Sequence, residues 1–222
     1  MGKKYKMTTS IPENITTPDQ VETRLGTLNF FDGLPDEATV EKVYDNLDFM
    51  RGVEVFLNTM SAASTLANIE GLRSVGADNQ TVVIHEDRVD AKTLLLTPNT
   101  QTVTLWACMN LTDGPLVVEI PPGVLGLAMD AWMNYIVDMG LVGPDKGQGG
   151  KYLFLPPGYE GAVPGGYLVY RPQTYNVWYA LRGFTVKGDT SPAVAAFKEH
   201  FRVYPLAQAS NLPETRFING SG

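Results

Sequence analysis

Cysteine and histidine are the scarcest chemistry in these 222 residues: one cysteine, Cys108, and two histidines, His85 and His200. A lone thiol forms no internal disulfide, and this set cannot complete a zinc site from Cys and His alone. Cations are short as well. Seventeen Lys and Arg against 24 Asp and Glu leave a net charge of −7, which argues against a dedicated nucleic-acid binder, because no surplus remains to neutralise a row of phosphates. Long apolar runs are missing. The best stretch, Val117 to Met139, is broken by Glu119, Pro121, Pro122, Asp130 and Asp138, and so falls short of the ~18 apolar residues that span a bilayer. The N-terminus MGKKYKMTTSIPENITTPDQ lacks a signal-peptide core. Lys6 stands where a myristoylation start wants Ser or Thr, and Lys3, Lys4 and Lys6 are too few for a polybasic anchor. Residues 1–18 therefore read as a disordered tail of a soluble protein, with the cytoplasm as default compartment.

What is present is a globular composition, 44% hydrophobic, with 22 Gly and 15 Pro, a load that suits turn-rich β architecture. Before Asp78 the period is helical. Val40, Val43, Tyr44, Leu47, Met50, Val53, Leu57 and Met60 recur at steps of three and four, and Pro35-Asp36-Glu37 supplies the start. Asp19 to Phe31 is expected as a second helix, and Ser61 to Leu72 as a third. Together they make residues 19–78 a helical N-terminal region.

After Asp78-Asn79 the period becomes two. Val103, Leu105, Ala107 and Met109 alternate with Thr102, Thr104, Trp106 and Cys108; Leu116–Ile120, Leu125–Val137, Lys151–Leu155, Gly166–Tyr170 and Tyr175–Val186 read as further strands between Gly and Pro clusters. Ser191-Pro192 opens a helix to about His200 as N-cap and N1, and Arg202–Leu206 is a last strand. The expected fold is α+β: the helical region packed on a mainly antiparallel, jelly-roll-like β-sandwich over 79–206, with 207–222 as a linker-like tail.

Local chemistry is sparse. The loop Gly143-Pro-Asp-Lys-Gly-Gln-Gly-Gly-Lys-Tyr152 lacks the spacing of a P-loop or dinucleotide fingerprint and leads into a strand, so it reads as a structural loop with positive-φ glycines. No cofactor is expected. His85-Glu86-Asp87 offers half a metal site or a turn, and the second reading is favoured. Asp130, Asn134 and Asp138 share one face of their expected strand, either as paired carboxylates for acid–base work or as a solvated edge. Cys108 is most simply a small core residue. Arg182, mid-strand beside Tyr175, Trp178 and Tyr179, either pairs with an internal carboxylate, the favoured reading, or faces a ligand.

Several of these features in series resemble one family. Thr97-Pro98-Asn99 through Thr102, Asp113-Gly114-Pro115 with Pro121-Pro122, Asp130-x-Trp132-x3-Ile136-x-Asp138-x-Gly140, the Gly143–Tyr152 run with Leu155-Pro-Pro-Gly158, and Arg182-Gly183 are similar to DUF1254 proteins. The resemblance covers roughly Asp36 to Gly222. It implies a helical portion and a jelly-roll-like sandwich, usually followed by a second β domain, DUF1214, and it implies no reaction. Many relatives are exported. The family commonly carries Asp before the threonine matching Thr102; here Gln101 stands there.

Two functions are weighed. The first is a module binding a small polar or carbohydrate-like ligand through Asn99, Thr102, Trp132, Lys151 and Arg182; the second is a hydrolase whose acids and bases come from Asp130, Asp138, His85 or Lys151. An envelope or virion structural protein is the bland alternative. A partner carrying the C-terminal half, or self-association of the uncovered face, is a further expectation.

Overall fold

The computed structural model describes residues 12–87, 89 and 99–221. Most of the expected tail, with Lys3, Lys4 and Lys6, and the Thr97-Pro98 pair lie outside the described residues. The chain divides into two units, Met1–Asn58 and Thr59–Gly222.

In the first unit, β1 (Gln20–Thr23), β2 (Gly26–Phe31) and β3 (Leu34–Pro35) form a small antiparallel sheet. The helix expected over Asp19 to Phe31 is therefore a hairpin. Gly26 at φ +89 makes the turn, and Thr23 Oγ1 donates to its carbonyl at 2.9 Å. Helix α1 runs unbroken over Glu37–Ser74, and so absorbs the separate helix expected at Ser61. Asp36 starts it by accepting from the N–H of Thr39 at 2.7 Å. Small residues after Ser61 suggested a break, yet Ala and Ser continue a helix at low cost.

The second unit is the sandwich. A six-stranded sheet in the order β13-β4-β5-β11-β7-β8 comprises β4 (Thr81–His85), β5 (Thr102–Asn110), β7 (Leu125–Asp130), β8 (Tyr135–Gly140), β11 (Asn176–Phe184) and β13 (Arg216–Asn219). A four-stranded sheet in the order β10-β9-β6-β12 comprises β6 (Leu116–Ile120), β9 (Gly150–Phe154), β10 (Leu168–Tyr170) and β12 (Arg202–Pro205). Alternate residues of both sheets meet in one core: Val103, Leu105, Ala107, Met109 and Tyr179 from one, Leu116, Val118, Tyr152, Phe154 and Val203 from the other. Helix α2 (Ser191–His200) closes it with Phe197, and its cap lies one residue earlier than expected, at Thr190.

Pairing is antiparallel except at β9–β10 and β4–β13. The second exception corrects the linker-like reading of 207–222, because Arg216–Asn219 adds an edge strand beside β4. Leu125–Val137 is likewise two strands, β7 and β8, joined by a tight turn with Met133 at φ +61 and a register shift at Ala128/Met129. Strict alternation across the turn is what concealed it.

Candidate functional site

The six-stranded sheet has a second face, and it is unusually buried for an outer one. On it, register places His85 beside Thr104 and Thr104 beside Arg182; the next rung is Val83, Trp106 and Ala180; Cys108 then pairs with Trp178, and Thr102 with Phe184. The end of α1 covers one part. Ile69 and Thr65 are buried, Arg73 donates to Asn176 Oδ1 at 3.2 Å, and Asn79 and Asn110 exchange hydrogen bonds at 2.7 and 2.9 Å. Arg182 and Phe184, at the other end, are exposed.

Between these ends lie polar atoms with nothing to bond. His85 Nδ1, Thr102 Oγ1, Trp106 Nε1 and Trp178 Nε1 are buried without hydrogen-bond partners among the described residues. Each group left so costs roughly 1–3 kcal/mol. The two indoles pack at 5.4 Å between centroids, tilted by 47°. An indole N–H only donates, as does a guanidinium, so this face carries a surplus of donors and suits an acceptor-rich ligand. Arg182 corrects the favoured expectation, since no carboxylate pairs with it among the described residues and it stands in solvent.

Burial holds the His85 imidazole below its ordinary value of 6.5, against the opposing pull of the Thr104 backbone. The unfolded chain therefore takes up this proton first, so stability is complete above the unfolded value and is lost as pH falls below it. His85→Gln should flatten the fall in melting temperature from neutral to mildly acidic pH. An unchanged slope in that variant would show that other groups titrate there.

The remaining candidates are scattered. Asn99 accepts from Gln101 N–H at 2.7 Å and shapes the entry to β5, next to Thr102. Trp132 sits exposed in the β7–β8 turn, beyond the Asp130–Val177 rung, while Arg182 pairs with Leu125 at the opposite end, roughly 17 Å away at 3.3 Å per residue. Lys151 belongs to the other sheet. Its ammonium meets Glu119 at 2.9 Å, and this partner raises its pKa.

Asp130 is not a solvated edge. It is 2% exposed, and its carboxylate accepts from the N–H groups of Trp132 and Asn134 at 2.8 and 2.9 Å and from Asn134 Nδ2 at 3.1 Å, locking the hairpin. Asp138 accepts from Tyr135 Oη at 3.2 Å on β8, three strands from the edge of β4 that bears His85 once β5, β11 and β7 are crossed. The hydrolase candidates are thus not brought together. Glu86 pairs with Lys198 at 2.8 Å, and no three Cys, His, Asp or Glu side chains gather for a metal among the described residues.

A cleft of about 560 Å³ lies against the glycine loop, beside Lys146, Gln148, Lys151 and Tyr167. Its acid, Asp145, is wholly engaged by Gly140 N–H, Gly149 N–H and Tyr152 Oη. A second cleft, about 540 Å³, is lined by Arg73, Asp78, Asn79, Asn110 and Asp113. The Asn79 side chain is spent on the Asn110 backbone, the Asn110 side chain accepts from the N–H and hydroxyl of Thr112, and Asp78 meets Arg216 at 3.2 Å.

The pairing of Trp106 with Trp178 was not visible in the sequence, since it depends on the β5–β11 register. The available signal was a tryptophan at an even position of each strand.

The sequence model of the family described as "Protein of unknown function (DUF1254)" matches residues 79–205. No curated protein matches the chain. The crystal structure of the VPA0106 protein from Vibrio parahaemolyticus is similar at a TM-score of 0.46 and 19% identity, over 54% of this chain and 32% of that one. The chain thus spans about a third of that protein's length.

Proposed function

The chain belongs to the DUF1254 family, described only as of unknown function, so its activity has to come from its own residues, and we propose a binding module for a small polar ligand. The ligand is carbohydrate-like or otherwise rich in acceptors, and it sits at the open end of the β4–β5–β11 face. One observation carries this reading: four buried polar atoms on one sheet face, His85 Nδ1, Thr102 Oγ1, Trp106 Nε1 and Trp178 Nε1, lack partners among the described residues, beside Arg182, which has no carboxylate partner among them. Native proteins leave few such groups, so four on one face call for a physical reason. Trp106, only partly buried where it packs on Trp178, adds apolar ring area against which a sugar ring or other planar group packs.

Asn99, Thr102 and Arg182 remain in the reading; Trp132 and Lys151 leave it. Because Trp132 is the third tryptophan, Trp132→Phe makes intrinsic fluorescence report on the pair alone. In that background, titration with neutral sugars, uronic acids and short organic acids should give a saturable change for at least one compound. Trp106→Phe keeps the ring and removes the N–H, and should weaken that binding about tenfold, the equivalent of one hydrogen bond. Arg182→Gln should weaken it as much or more. Silence across the panel at millimolar concentration, or binding indifferent to both substitutions, would remove the proposal.

A further inference from the structure

Helix α1 carries an apolar repeat far longer than its covered part requires. Thr39, Val43, Asn46, Met50, Val53, Leu57 and Met60 follow one another at alternating steps of four and three, three heptads of a single seam. Its beginning is covered by the small sheet, from whose β1–β2 turn the Arg24 guanidinium also reaches the Met50 thioether at 3.8 Å. Thr39 is buried with its hydroxyl bonded to Asn29 N–H at 2.8 Å, and Lys42 donates to the Thr27 carbonyl at 3.0 Å. Beyond it, Val43, Met50, Val53, Leu57 and Met60, flanked by Phe49, are exposed, from 40% at Val43 to 72% at Phe49.

We propose that α1 pairs in parallel and in register with α1 of a second copy of this chain along the seam from Val43 to Met60. Area is the first argument. Six large side chains about half exposed, at roughly 150–250 Å² each when bare, leave on the order of 600 Å² of apolar surface, at the lower end of the ~600–1,000 Å² that each partner contributes to a stable interface. Patches of that size are rare on monomers.

Asn46 is the second argument, and it sets the orientation. It sits half-buried in the seam, and its amide donates to the thioether of Met50 at 3.3 Å, a weak acceptor. In a parallel, in-register pair each Asn46 meets its own copy, amide to amide, the arrangement by which a polar seam residue specifies register. An antiparallel pair centred on the seam would instead set Asn46 against Leu57 and bury the amide unpaired. Parallel packing brings the acidic first turns together, Glu37, Glu41, Asp45 and Asp48, but these are exposed and screened over about 8 Å at physiological salt. The same acids argue against a membrane surface, which selects helices rich in Lys and Arg.

Sedimentation equilibrium should give twice the chain mass of 24.3 kDa. Met50→Glu and Leu57→Glu, at exposed positions, should raise the dissociation constant at least a hundredfold with helicity by circular dichroism unchanged. Cysteine cross-linking supplies a second test that does not rest on charge. Cys108 is buried and its thiol is pushed up chiefly by that burial, so it stays silent. Val53→Cys should then form an intermolecular disulfide under mild oxidation, while Asp48→Cys, on the outward side, should not. A monomer at every concentration, a dimer indifferent to both glutamates, or equal cross-linking at the two positions would overturn the proposal.

Discussion

Gly140→Ala should be the most damaging single methyl in the sandwich, lowering stability by roughly 3–5 kcal/mol, at the far end of the usual range for point substitutions. Gly140 ends β8 at φ +88, in the left-handed region that an L side chain enters only at a cost. A Cβ there would lie 1.9 Å from the Val124 carbonyl oxygen and 2.7 Å from its carbon, both backbone atoms. Neither can yield alone. That carbonyl accepts from Leu141 N–H at 2.8 Å, while the Gly140 carbonyl accepts from Gly143 and Gly147, and the Gly140 N–H reaches Asp145 Oδ1 at 2.8 Å. Strand and loop would have to separate. At 2–4 °C per kcal/mol for a chain of this size, the melting temperature should fall by about 10–15 °C. Gly165→Ala is the control, with ordinary φ and open space around its Cβ, and should change stability by under ~0.5 kcal/mol. Equal melting temperatures for the two variants would show that the β7–β8 hairpin tolerates the strain.

The second large effect belongs to Asp145. Its carboxylate holds Gly140 N–H at 2.8 Å, Gly149 N–H at 3.2 Å and the Tyr152 hydroxyl through a short hydrogen bond. Tyr152 is wholly buried, and burial first, then Asp145, raises its phenol so that the O–H remains a donor. Asp145→Ala strands three donors at once and should cost about 3 kcal/mol, since each lost charge-assisted bond is worth roughly 1.5–3 kcal/mol and water reaches part of the loop. Tyr152→Phe removes a donor without stranding the acid's other bonds and should cost about 1 kcal/mol. The double variant should lose little more than Asp145→Ala alone, a coupling of about 1 kcal/mol measured by urea denaturation. Strict additivity would mean that the hydroxyl and the carboxylate act independently. The Gly-Pro-Asp-x-Gly-x-Gly-Gly-Lys-Tyr run is thereby explained as a clamp. Gly147 and Gly149 supply positive φ, and a Cβ on Gly149 would meet the Ile120 carbonyl at 2.8 Å.

Much of the sandwich was legible beforehand because alternating burial leaves an alternating sequence. Thr102 to Met109 shows it, with Val103, Leu105, Ala107 and Met109 pointing into the core. β4 leaves no signal in the sequence because all of Thr81–His85 is buried, so neither face is marked by solvent and no period survives. The β1–β2 hairpin carries no clear strand signal for a different reason. Its residues are exposed or half-buried, packed too lightly for either period to dominate. β13 had no signal of its own, since Arg216–Asn219 becomes a strand only because the edge of β4 offers it a ladder.

The sequence by itself determined the α+β class, the long helix and the switch of period near Asp78. These follow from local periodicity, backbone preference and spacing, which neighbours in the chain are enough to specify. Tertiary structure alone decided which candidate residues meet. It joined Trp106 to Trp178 and Thr104 to Arg182, sent Trp132 to the opposite end of the sheet and Lys151 to the other sheet, and spent Asp130 on its own hairpin. The physical reason for the first two meetings is register: β5 and β11 lie far apart in sequence, and a slip of one residue between them would turn Trp178 and Arg182 to the opposite face from Trp106 and Thr104.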